Sequence, residues 1–314
     1  MSRTKFAIGC LVQWYEVDII GEYIETLKKA IEHYDGEVIV DFCLVMNRDL
    51  EKTSLSEQKF YDIERNLYKQ VKETFDKRCI SSVNNIFTIA DYRREFNDKF
   101  CEQADVLVWG ESDMLVPKQA FIVLDNLHQR VPPKYVMTFG ICKMWDDSWK
   151  PLEHVDFTDK PFIANDYDNW WSLKYTMTEK EMNEINNRHP QPEVTIINPK
   201  KFNGCGLVIS SEVIKSGVNI AKSVFFVHED TSFMLMLQKI LPDIPQYHIP
   251  NILLVHNRNH PKKRMYVAGE NGDTLNMKRR SNDWYIKANK FSEENCYNVF
   301  NPNHKSKTWE DVWQ

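Results

Sequence analysis

Residues 6–12 and 38–45 form two apolar runs, and between them lies a segment of a different period. There Ile20, Tyr23, Ile24, Leu27, Ala30 and Ile31 fall on one helical stripe, and Asp35-Gly36 breaks the chain before the second run. Strand, helix, strand in this order predicts parallel pairing through a right-handed crossover. The alternation continues. Residues 56–77 read as a charged amphipathic helix, 83–89 as a third strand, 92–102 as a helix and 106–109 as the next strand. Such a series predicts an α/β sheet, mostly parallel, with helices on both faces and ligands at the carboxyl ends of its strands.

The second half is less regular. Residues 145–175 carry four of the nine tryptophans, Trp145, Trp149, Trp170 and Trp171, among prolines and Asn-Asp pairs, which predicts long loops over a site. A short helix is expected at 179–188, a glycine-bearing turn entering a strand at 202–210, a helix at 231–240 and a last strand at 252–255. From about residue 271 the chain is polar and weakly patterned, a tail that packs across the domain or moves. No repeat or low-complexity tract is present.

Composition excludes several classes. With 42% apolar and 27% charged residues over 314 positions, the chain is an ordinary globular one, long enough for one large domain or two modest ones. A net charge of −5 argues against a general nucleic-acid coat, though not against a local basic surface. Seven scattered cysteines without a C-x-x-C pair read as reduced thiols. No stretch approaches the ~20 apolar residues of a membrane span. The expectation is therefore a cytoplasmic protein, bacterial or from a virus-infected cell.

Four places carry candidate chemistry. After the apolar run 106–109 comes Glu111-Ser112-Asp113. On a strand, residues 111 and 113 point the same way, and two adjacent carboxylates call for a cation between them. Hard oxygen ligands suit Mg²⁺ or Mn²⁺; a solvated polar turn is the plainer reading. Before that run, Arg93, Arg94 and Asn97 could face a nucleotide's phosphates or form an exposed helix face. After Phe225-Phe-Val227, which reads as an apolar strand, comes His228-Glu229-Asp230, where a carboxylate can act as general base or simply cap a helix. Finally, His256 or His260 follows the last apolar strand and could complete a metal shell.

Taken together, these motifs resemble the GT-A glycosyltransferases, in particular the inverting enzymes that begin with a nucleotide-binding β-α-β half. The resemblance covers roughly residues 5–260. It implies one domain over 1–265, with a nucleotide-binding half at about 1–117, an acceptor half at about 118–265 and an extension over 266–314. Glu111-Ser112-Asp113 resembles the D-x-D element with Glu in first place, which implies a metal ligand at Asp113 and a donor contact at Glu111. Phe202-Asn-Gly-Cys-Gly206 resembles the glycine-rich turn beside donor and acceptor, bringing in Gly204 and Gly206. Glu229-Asp230 resembles the acidic pair that holds the acceptor (Glu229) and supplies the base (Asp230). His256 resembles a late metal-ligating histidine.

The implied activity is metal-dependent transfer of a sugar, with inversion, from a nucleotide-sugar such as a UDP-sugar to an acceptor hydroxyl. A saccharide or glycolipid acceptor comes first, with Trp145, Trp170 and Trp171 as stacking platforms. Hydroxymethylated DNA comes second, because Lys262-Lys263-Arg264 and Lys278-Arg279-Arg280 are basic clusters on an acidic chain. Protein comes third. From other classes, a non-catalytic nucleotide-sugar binder and a nucleotidyltransferase remain open, although residues 13–16 lack the phosphate loop of the latter.

Overall fold

The computed structural model describes residues 2–47, 50, 56–83, 85–144, 146–162, 175–258, 260, 263 and 283–314. Among these, in chain order, lie β1 (Phe6–Gln13), a 3-10 turn (Trp14–Glu16), α1 (Gly21–Glu32), β2 (Val38–Val45), α2 (Glu57–Thr74), β3 (Arg78–Val83), α3 (Ile89–Phe100), β4 (Val106–Trp109) and β5 (Met114–Leu115). There follow α4 (Ala120–His128), β6 (Val136–Gly140), a second 3-10 turn (Asp147–Leu152), α5 (Glu179–Asn186), β7 (Thr195–Ile196), β8 (Val208–Ser210) and α6 (Ser211–Lys215). The chain closes with α7 (Glu229–Ile240), β9 (Gln246–Leu253), β10 (Val255–His256), α8 (Asp283–Tyr297) and α9 (Trp309–Trp313).

Eight strands form one mixed sheet in the order β3-β2-β1-β4-β8-β6-β9-β7. Pairing is parallel from β3 through β4 and again between β6 and β9. β8 runs antiparallel between β4 and β6, and β7 is antiparallel to β9. Helices cover both faces, which is why the strands read as nearly continuous apolar runs. Along β1, Phe6, Ile8, Cys10 and Val12 face α1, α2 and α4, while Ala7 and Leu11 face α3, α6 and α7. β2 and β4 divide in the same way, with Val106 and Val108 on the first face and Leu107 and Trp109 on the second. Each fully buried Phe or Leu in these layers contributes about 1.5–3 kcal/mol.

Several expectations are corrected. The third strand is Arg78–Val83, not 83–89. Thr88 instead opens α3 with a capping box: its side chain accepts from the Asp91 N–H, and the Asp91 carboxylate accepts from the Thr88 N–H at 3.1 Å. Residues 225–227 form no strand. Their aromatic side chains are covered by the tail, with Phe226 edge-on to Trp284, Tyr285 and Trp309. Three apolar residues read alike whether a sheet or a terminal helix buries them. Where it is described, the tail holds two helices, α8 and α9, joined by turn and coil. Ser292 Oγ donates to the Val227 carbonyl at 2.7 Å, and Asn295 Nδ2 donates to that of Ser223 at 2.7 Å, so α8 pins the loop ahead of α7. The last strand begins at Gln246, and β10 separates from it to pair with β5. Among the described residues, no helix is long and apolar enough to cross a membrane.

Candidate active site

The order β2-β1-β4 reverses direction of travel at β1, so a crevice opens where the carboxyl ends of β1 and β4 diverge. A pocket of about 350 Å³ lies there. Its wall includes Gln13 at the end of β1 and Glu16 just after it, Asn47 after β2, Thr88 at the head of α3, and Glu111 and Ser112 after β4. Gly204 and Asn203, Phe226, Glu229 and Asp230, His256, Lys263 and Tyr285 also line it. Gln13, Asn47 and Thr88 were not singled out in the sequence. Their signal was there: each is a polar residue just past an apolar strand or at a capping position.

Glu111 and Asp113 do not sit on a strand; β4 stops at Trp109 and the two acids occupy the turn into β5. They still converge, because β5 pairs with β10 in a register that sets Met114 opposite His256. The His256 ring nitrogen Nε2 then lies 2.8 Å from Glu111 Oε2 and 3.3 Å from Asp113 Oδ1. Burial disfavours every charge here, yet the partners prevail: both acids are held below the usual carboxylate range, and His256 well above the usual imidazole range. Glu111 lines the pocket, whereas the Asp113 side chain is wholly buried just behind it.

Arg93 is the link that sequence reasoning misread. It does not face solvent or line the pocket; it is 1% exposed, with its guanidinium over the Trp109 ring at 4.7 Å. One arm pairs with Glu111 Oε1 at 2.7 Å and the other with Glu229. Burial pushes the Glu229 carboxyl up to about 7, against the pull of that guanidinium. Arg94 also turns inward, donating to the carbonyls of Ile220, Ala221 and Val224. Asn97 is fully buried and accepts from Trp109 Nε1 at 2.9 Å. Both lie outside the pocket wall, Arg94 held by those carbonyls and Asn97 by the side chains of Trp109 and Asn219.

α7 starts at Glu229, two residues earlier than the expected 231, with His228 in the left-handed region (φ 69°) as its N-cap. Asp230 therefore does not cap the helix. It sits in the first turn, its Oδ1 accepting the Thr231 N–H at 2.7 Å, and lines the pocket. Of the two glycines, Gly204 lines the pocket, and a Cβ there would lie 2.5 Å from Arg93 Nη1. Gly206 does not line it. Gly206 has φ +74° and donates its N–H to the Trp109 carbonyl at 2.8 Å, tying the turn to the end of β4. Gly206→Ala is expected to cost about 1–3 kcal/mol, because a Cβ would also lie 2.6 Å from Leu254 Cδ1. A urea midpoint equal to wild type would show that the turn relaxes freely.

Two carboxylates and an imidazole form a donor set suited to Mn²⁺ or Mg²⁺. One buried atom there, His256 Nδ1, lacks a hydrogen-bond partner among the described residues, and Asp113 Oδ1 meets only His256 Nε2, at 3.3 Å, so these two atoms are the ones an ion could engage. Cys205, absent from the sequence expectations, brings its Sγ within 4.8 Å of ligand atoms of Glu111 and His256. His260 is not part of that group. Trp145, Trp170 and Trp171, and the basic residues Lys262, Arg264, Lys278, Arg279 and Arg280, lie outside the described residues.

No protein-family model matches the chain, and no curated protein matches it in sequence. Among solved structures, it is similar to S. aureus TarS, at 13% identity and a TM-score of 0.46, covering 98% of this chain and 77% of that one. It is also similar to a mannosyltransferase from Pyrobaculum calidifontis in complex with GDP-Man and Mn²⁺ (10% identity, TM-score 0.48, 100% and 69% covered). A third is mannosyl-3-phosphoglycerate synthase from Rubrobacter xylanophilus (12%, TM-score 0.43, 83% and 69% covered). At such identities and TM-scores, function is read from the site itself.

Proposed function

We propose that this chain is a glycosyltransferase that moves a sugar from a nucleotide-sugar, a UDP-sugar in the first instance, onto a hydroxyl of a saccharide or glycolipid with inversion. One observation carries the reading: a single buried guanidinium, Arg93, holds Glu111 and Glu229 at once. Two acidic motifs more than a hundred residues apart in sequence are thereby fixed on the same pocket, the arrangement a donor and an acceptor site need.

In this reading Gln13, Asn47 and Thr88 border the nucleotide, and the acceptor lies against Asp230 and the aromatic faces of Phe226 and Tyr285. The Asp230 carboxylate takes the proton from the acceptor hydroxyl. The new C–O bond forms at the anomeric carbon as the bond to the nucleotide diphosphate breaks and that diphosphate leaves. A divalent cation, held by Asp113, His256 and Glu111 when bound, would supply charge neutralisation for the leaving diphosphate.

Asp113→Asn is expected to abolish the part of UDP affinity that depends on Mn²⁺, with the circular dichroism spectrum retained. Calorimetric titration of UDP with and without Mn²⁺ checks this, and an unchanged metal-dependent affinity would reject Asp113 as ligand. The acceptor is tested by UDP release from UDP-sugars in the presence of saccharides or of hydroxymethylated duplex DNA.

A further inference from the structure

The cation that lies on Asp113 belongs to the chain itself. Lys263 lines the pocket, and its ammonium lies 2.8 Å from Asp113 Oδ2 and 3.1 Å from Glu16 Oε1. The Asp113 side chain has no exposed surface, whereas that of Lys263 is 20% exposed. Lys263 therefore stands between the pocket and the carboxylate. Across the site, Arg93, His256 and Lys263 occupy oxygens of Glu16, Glu111, Asp113 and Glu229. Each oxygen of the acid pair faces a cationic nitrogen of the protein: Glu111 meets Arg93 and His256, and Asp113 meets His256 and Lys263.

We propose that Lys263 is a built-in competitor for the metal site: its ammonium holds Asp113 until a divalent cation displaces it onto Glu16. The proposal rests on the metal-dependent reading above. The physical ground is that an ammonium and a divalent ion on one buried carboxylate repel each other across a few ångströms of low-dielectric interior. Glu16 makes the exchange feasible. It is itself nearly buried, and its other oxygen, Oε2, accepts the Gln13 N–H at 2.9 Å, so Oε1 stays aimed at the lysine. A displaced Lys263 keeps a counter-charge and remains in the pocket wall, where it can meet a phosphate. The ammonium is thus a positioning group that links ion binding to a free cation beside the donor.

The test is Mn²⁺ affinity of the nucleotide-free protein, read by the loss of the free-ion electron paramagnetic resonance signal. Lys263→Met is expected to bind Mn²⁺ about tenfold tighter, within the usual range of coupling between two sites. Lys263→Arg, which keeps the charge, is expected to bind close to the wild type. Glu16→Gln is expected to weaken binding, and to do nothing when added to Lys263→Met, because no lysine is left to receive. Should Lys263→Met fail to fold, Lys263→Gln carries the same measurement. Equal Mn²⁺ affinity in wild type and Lys263→Met overturns the proposal. So does a gain that survives addition of Asp113→Asn, since the ion would then sit elsewhere, and so does an absence of Mn²⁺ binding in every variant. Tighter binding in Lys263→Met, with no sugar transfer by the wild type from any donor, would leave the competition standing and remove the transferase reading alone.

Discussion

Asp230→Asn is expected to slow sugar transfer by about 10²–10⁴-fold, the usual contribution of a positioned general base. Donor affinity is expected to stay near the wild-type value, because Asp230 belongs neither to the Asp113–His256 group nor to the residues bordering the nucleotide. Stability should hardly change. Asp230 is not the helix cap, among the described residues its Oδ1 serves the neighbouring Thr231, and an Asn carbonyl can accept the same N–H. The lost charge at a helix N-terminus accounts for about 0.3–1 kcal/mol. Single-turnover transfer measured beside a urea melt separates the two effects. Transfer at the wild-type rate in Asp230→Asn would move the base to Glu229, whose carboxyl lies at about 7 and whose rate profile would then rise through neutral pH.

Arg93→Met is expected to be the most destabilising single change in the site, by about 3–5 kcal/mol, because it leaves buried carboxylates without their counter-charge. Methionine keeps much of the volume over Trp109, so the loss reports the charge rather than a cavity. The same change is expected to loosen Glu111 and Glu229 from each other, lowering both donor affinity and turnover. Urea unfolding checks the first part. A loss below about 1 kcal/mol, the scale of an exposed ion pair, would mean that Arg93 is no strut and that the two acidic motifs are held by the backbone alone.

Arg93 also marks the limit of what periodicity can say. A helix over 92–102 was legible in the sequence, but whether residue 93 faces water or a carboxylate depends on where β4 and α7 arrive. The same holds for the tail. Its polar pattern hid a helix whose Ser292 and Asn295 brace backbone carbonyls, and the aromatic run 225–227 was read as a strand because its cover comes from sixty residues further along.

Local order was written in the sequence. The β-α-β opening, the alternating faces of β1, β2 and β4, the end of β4 at the acidic turn and the glycine at 206 follow from side-chain period and from backbone angles that neighbours impose. Which residues meet was decided by the tertiary structure. The pairing of β5 with β10 brings His256 to the acids, the turn into β8, which enters antiparallel beside β4, sets Gly204 in the pocket wall and Cys205 beside Glu111 and His256, and Lys263 reaches Asp113 across 150 residues. The physical reason is one of range. Hydrophobic period fixes a face within a few residues, whereas a charge buried at a strand end gains its energy only from partners that the closed fold delivers.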